Sequence, residues 1–128
     1  MEASPYSSFP ILAEALSDEL FAPQGDGEVV QMQREIWGGI RADLERDLRG
    51  LEGASREDLM RHLHRIRGYV STASLLRLSK ILLAWENDPD PVRATKGFLC
   101  EALEVSGCSI SEVERKYPHL VVSPQGPG

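Results

Sequence analysis

Basic charge is in short supply in this chain, cysteine is scarce, and a long apolar run is missing altogether. Among 128 residues, 14 lysines and arginines stand against 20 aspartates and glutamates, giving a net charge of −6. An acidic chain gains no counterion-release attraction to nucleic acid, and no local basic run supplies one. No apolar stretch approaches the roughly 20 residues that a bilayer-spanning helix needs. Met1-Glu2-Ala3-Ser4-Pro5 lacks the basic start and apolar core of a secretory signal. A cytoplasmic protein without a membrane segment is therefore expected. The two cysteines, Cys100 and Cys108, fall eight residues apart on one predicted helix, about 12 Å of rise, too far for a disulfide. Reduced, packed thiols are the expectation in a cytosolic chain. Neither cysteine has a CxxC partner or a neighbouring histidine, so no redox or zinc role is assigned.

What remains is helical periodicity. Residues 10–21 read as a short amphipathic helix opened by Pro10, with Ile11, Leu12, Leu16 and Leu20 near one stripe. A second helix is predicted over 29–51, burying Val29, Ile36, Ile40, Leu44 and Leu51, with Trp37 and Leu48 at the edge of that face. The Gly38-Gly39 pair weakens it by about 1 kcal/mol per glycine relative to alanine. Ser55, with Asp58 three residues later, resembles a capping box opening a third helix that runs to about Ala73. A fourth is predicted over 75–86, apolar on the side of Leu75, Leu78, Leu82 and Trp85. Asp90 and Pro91 read as N-cap and first residue of a last helix, with Leu99, Ala102, Ile110 and Val113 facing in and Pro118 ending it. No segment reads as a strand. The expected fold is all-α: an antiparallel up-and-down four-helix bundle with an additional short N-terminal helix. Its divisions are an N-terminal segment at 1–28, the bundle at 29–117 and a tail at 118–128. Short connections imply low contact order and rapid folding.

The third helix carries the chemistry. At about 100° per residue, Leu59, Leu63, Ile66, Val70 and Ala73 lie within roughly 40° of one direction, the core face. Measured from Leu59, Arg67, Met60 and Ser71 fall at about 80–120°, His64 near 140° and Gly68 near 180°. His64 is thus predicted to be exposed, one turn from Arg67 and Gly68. His62 falls at the core boundary, where a structural histidine with a local hydrogen bond is expected. The two histidines diverge, so they do not make a metal pair, which on a helix wants a spacing of three or four. No Ser-His-Asp set, nucleophile elbow or phosphate-binding glycine loop is present.

The run from Leu63 to Leu78, LHRIRGYVSTASLLRL, resembles the signature of histidine-containing phosphotransfer (HPt) domains. That signature has a histidine, one intervening residue, a leucine or isoleucine, a lysine or arginine, a glycine, small residues, and a leucine further on. The resemblance extends over residues 29 to about 117. It implies a four-helix bundle with an exposed phosphoaccepting histidine midway along one helix. By position it implies that His64 is the phosphoacceptor, Arg67 the cation beside the phosphoryl group, and Gly68 the residue that keeps the imidazole accessible. Three positions depart from the pattern: Leu63 and Tyr69 replace small residues, and Ser74 stands where a glycine often ends the helix. Leu63 and Tyr69 lie toward the core, so they are expected to change packing or the rim of the docking surface more than the chemistry.

On this resemblance the chain relays a phosphoryl group between receiver-domain aspartates of response regulators or hybrid histidine kinases. A neutral imidazole is available near neutral pH for the attack. Met60 and Ser71 would border the docking surface, where a flexible thioether suits more than one partner. The chain needs no cofactor of its own, and Mg²⁺ is expected on the receiver. Without a nucleotide-binding domain the chain is not a complete kinase, and an unrelated helical enzyme has no supporting constellation. The rival reading is a helical module that binds a receiver or kinase domain without accepting phosphate.

Overall fold

The computed structural model describes residues 4–25 and 27–121. Five α-helices occupy them: α1 (Glu14–Phe21), α2 (Gly27–Arg49), α3 (Arg56–Thr72), α4 (Leu76–Glu86) and α5 (Thr95–Lys116), followed by a 3₁₀ turn at Pro118–Leu120. There is no strand among the described residues. Helix α3 packs on α2 and α4, and α5 packs on α4 and α2, enclosing one apolar core.

Helix α3 forms as its pattern predicts. Ser55 is the N-cap, its hydroxyl accepting the Asp58 N–H at 3.2 Å, which satisfies one of the donors a helix start leaves open. Leu59, Leu63, Ile66, Val70 and Ala73 are all fully buried. The helix ends in a Schellman arrangement: the Leu75 N–H bonds the Val70 carbonyl at 3.1 Å and the Ser74 N–H the Ser71 carbonyl at 3.0 Å. Val70 and Leu75, the apolar pair that accompanies this motif, are both buried. Ser74 holds the left-handed position, with φ of 67°, where a Cβ is strained and glycine is favoured. Its carbonyl also accepts the Ala13 N–H at 2.9 Å.

That last bond explains a correction to α1. Residues 10–13 are not helical; their neighbourhood is bonded across to the α3–α4 turn, with the Arg77 guanidinium donating to the Phe9 carbonyl at 2.8 Å and the Arg77 N–H to Ile11. Cross-chain partners replace the helical ones, so α1 starts at Glu14. Its buried face is Ser17 and Phe21, not Leu16, which is 56% exposed. Phe21 meets Trp37 edge-on at 5.6 Å. Buried Gln33 donates to the Leu20 and Ala22 carbonyls at 3.0 and 2.9 Å, satisfying acceptors at the end of α1.

Helix α2 is rotated from the predicted stripe. Gln33, Trp37, Leu44 and Leu48 are its buried residues, and Ile36 is 43% exposed. Burying the indole removes more apolar surface than burying Ile36 would, and its Nε1 finds Glu114 at 3.1 Å. The start of α5 is also corrected. The Pro91 carbonyl receives the Trp85 indole N–H at 3.0 Å and the Thr95 hydroxyl at 3.1 Å, while the Thr95 N–H turns to Val92. Asp90 does cap one turn from Pro91, its carbonyl taking the Ala94 N–H at 3.0 Å and its side chain the Arg93 N–H at 3.3 Å, but that turn is not continuous with α5, which starts at Thr95. Both cysteines are free but exposed, contrary to the packed thiols expected.

Replacing Ser74 with glycine removes the left-handed strain at a residue whose side chain makes no hydrogen bond among the described residues. Ser74→Gly is expected to stabilise the protein by about 1 kcal/mol, net of glycine's extra unfolded-state entropy. A lowered thermal midpoint would contradict the strain assigned to this turn.

Candidate functional site

Because the apolar stripe of α3 faces inward without a gap, the opposite face must present its side chains to solvent. His64 is there, its side chain 77% exposed. Arg65 and Arg67 flank it and lean to opposite sides. Arg65 reaches α2, pairing with Asp47 at 3.3 Å. Arg67 reaches the last residue of α4: its Nε donates to Glu86 Oε1 at 2.7 Å and its Nη2 to Oε2 at 3.3 Å. This is a two-pronged guanidinium–carboxylate contact, the geometry that suits arginine. Its members are well covered, at 28% and 12% side-chain exposure. The Glu86 hydrogen bond raises the Arg67 pKa further, against a smaller desolvation effect.

The same Arg67 Nη2 lies 3.3 Å from His64 Nδ1, and Glu86 Oε2 lies 3.9 Å from that nitrogen. An arginine can only donate. In this arrangement Nδ1 acts as acceptor and the neutral ring carries its proton on Nε2. The carboxylate stands just beyond hydrogen-bond range, on the same nitrogen, as the acceptor available to an Nδ1–H. The imidazole thus has a cation and an anion at one ring nitrogen and open solvent at the other end.

A Cβ built on Gly68 meets no atom within 4 Å. Gly38, Gly39, Gly97 and Gly107 are equally unobstructed, so openness alone is not distinctive; what distinguishes Gly68 is its place one turn from His64. Its carbonyl accepts the Thr72 hydroxyl at 3.0 Å. Ser71 is exposed and lines a shallow groove with Leu16, Leu20 and Thr72, so α1 borders the end of this surface. Met60 is half-buried and packed against the core, less available than its wheel position suggested. His62 is half-buried, and its ring makes none of the hydrogen bonds found among the described residues, unlike the expectation of a local partner. Leu63 is core. Tyr69 is half-buried beside Gly68 with its hydroxyl donating to Asp47 at 3.0 Å; burial and that carboxylate push its pKa well up.

Glu86 and Asp47 were not legible as site residues. Each is one acidic residue among 20, and only the packing of α4 and α2 against α3 brings them to Arg67 and Arg65. Among the described residues no cluster of three or more His, Cys, Asp or Glu side chains is placed to hold a metal ion, and no helix is long and apolar enough to cross a membrane. No family model matches the chain, nor does any curated protein or solved structure.

Removing Glu86 tests whether it fixes Arg67. In Glu86→Ala the Arg67 Nε–H is expected to lose its protection from solvent exchange in ¹⁵N spectra, with stability falling by about 1 kcal/mol. An unchanged Nε–H signal would show that Arg67 is held by something else.

Proposed function

We propose that this protein is a histidine phosphotransfer domain that carries a phosphoryl group between receiver-domain aspartates on His64. The observation that carries the reading is the exposed His64 imidazole with Arg67 at 3.3 Å, itself held by Glu86. The packing order of α2, α3, α4 and α5 supports the finer architecture that goes with it, an antiparallel four-helix bundle with α1 added at its side. A cytoplasmic site of action and receiver domains as partners belong to the same proposal.

The chemistry follows from the ring's surroundings. A ring nitrogen attacks phosphorus of an aspartyl phosphate; an N–P bond forms, the P–O bond to aspartate breaks, and the aspartate leaves as a carboxylate. Attack through Nε2 requires the other tautomer: the ring proton passes from Nε2 to Nδ1 by exchange with water, and the Arg67 Nη2 donor turns away from Nδ1. The ring is positively charged as the N–P bond forms, and Glu86 is the acceptor able to take up that Nδ1–H. Arg67 is then positioned to turn a donor toward phosphoryl oxygens, where charge-assisted bonds are strongest. Mg²⁺, expected on the receiver, supplies charge neutralisation there. In-line positioning is the main remaining requirement, and Gly68 leaves the approach open.

Incubation with phosphorylated receivers is expected to give the protein an acid-labile, base-stable label, and His64→Gln is expected to abolish it. Label that survives in His64→Gln overturns the assignment. A wild type that binds receivers but stays unlabelled by all of them favours the docking-only module instead.

Gly68 offers an independent check, because a Cβ there meets no atom of the described residues within 4 Å. Gly68→Ala is expected to stabilise the helix by about 1 kcal/mol while slowing transfer from a receiver. Faster or unchanged transfer would remove the access role.

A further inference from the structure

We propose that a second site, a groove between the α2–α3 turn and the start of α5, binds a small amphiphilic anion: an apolar body carrying a carboxylate or phosphate. The groove has a volume of about 570 Å³ and is open to solvent, within the size range of small-molecule sites. Buried Leu99 and half-buried Leu103 form its apolar wall, and Val92 at its edge is left largely to solvent. Arg93 and Lys96 stand on the same side.

The charge state of those two residues is what selects the ligand. Of the 14 lysines and arginines, nearly all hold a carboxylate, a carbonyl or an aromatic ring. Arg41, Arg46, Arg49, Arg61, Arg65, Arg67, Arg115 and Lys116 are in ion pairs. Arg34 and Arg77 hold carbonyls and Lys80 lies over Phe9. Among the described residues the side chains of Arg93 and Lys96 have no such partner; Arg56, on the first turn of α3, is the other exception. In an acidic chain with carboxylates in excess, two free cations beside an exposed apolar wall are a complement to a ligand that is negative at one end. Glu52, the one lining residue from the α2–α3 turn, is not ion-paired to either cation among the described residues and repels an anion. It therefore sets the direction of binding: head toward Arg93 and Lys96, body along Leu99 and Leu103. The first turn of α5 has no side-chain cap and adds its partial positive charge at the same end. The site stands apart from His64 and does not rest on the phosphotransfer reading.

Cys100 lines the groove and Cys108, two turns along α5, does not, and both are exposed and free. This gives a probe with an internal control. Octanoate and octyl phosphate are expected to slow alkylation of Cys100 but not of Cys108 in the full-length protein. Octanol, with the same apolar body and no charge, is expected to protect about tenfold less well. Protection by octanoate alone assigns a carboxylate ligand, and by octyl phosphate alone a phosphate. The surface variant Arg93→Glu/Lys96→Glu is expected to lose the protection while keeping the wild-type circular dichroism spectrum. Equal protection by octanol, equal slowing of both cysteines, protection that survives the double charge reversal, or no protection by either anion overturns the proposal.

Discussion

The unbroken burial of one face of α3 is the constraint from which the rest of the arrangement follows. Leu59, Leu63, Ile66, Val70 and Ala73 leave nothing of themselves exposed, which fixes the rotation of the helix about its axis. Once that rotation is set, His64 has nowhere to point but outward. A slip of one residue would turn the helix by about 100° and bury a polar face without partners, a cost of several kcal/mol. The core therefore holds the imidazole in place more firmly than any contact the ring makes itself.

On either side of that ridge the charges are sorted by the neighbouring helices. Arg65 is drawn to Asp47 on α2, and Arg67 to Glu86 on α4. Only the second arginine stays within reach of His64. A cation left free there would sample many rotamers; held by two bonds to a mostly covered carboxylate, it is preorganised and loses less entropy on meeting an anion. The same carboxylate stands near the ring nitrogen, so one side chain of α4 governs both the cation and the acceptor available to the imidazole.

The sequence disclosed α3 almost completely, because capping, periodicity and the chemistry of its outer face agree there. Ser55 caps it, the five apolar positions are buried, and the i,i+3 pair His64–Arg67 is local in the chain. Elsewhere tertiary partners overrode local pattern. Trp37 displaced Ile36 from the core because the indole found Phe21 and Glu114. Pro91 lost its place as a helix start because Trp85 took its carbonyl. The segment just before α1 left the helical pattern because the α3–α4 turn supplied its hydrogen bonds. Glu86 was invisible for a related reason: its role depends on the packing of α4 against α3, not on any neighbour in sequence. Ser74 sits between these cases, since its departure from glycine was visible while the left-handed backbone that makes it matter was not.

Site mapping addresses the central claim most directly. Protein phosphorylated by a receiver, digested and sequenced by mass spectrometry without acid exposure, should carry its phosphate on His64 alone. Phosphate on His62 or His119, which lie off the exposed ridge and away from the Arg67–Glu86 pair, would contradict the account.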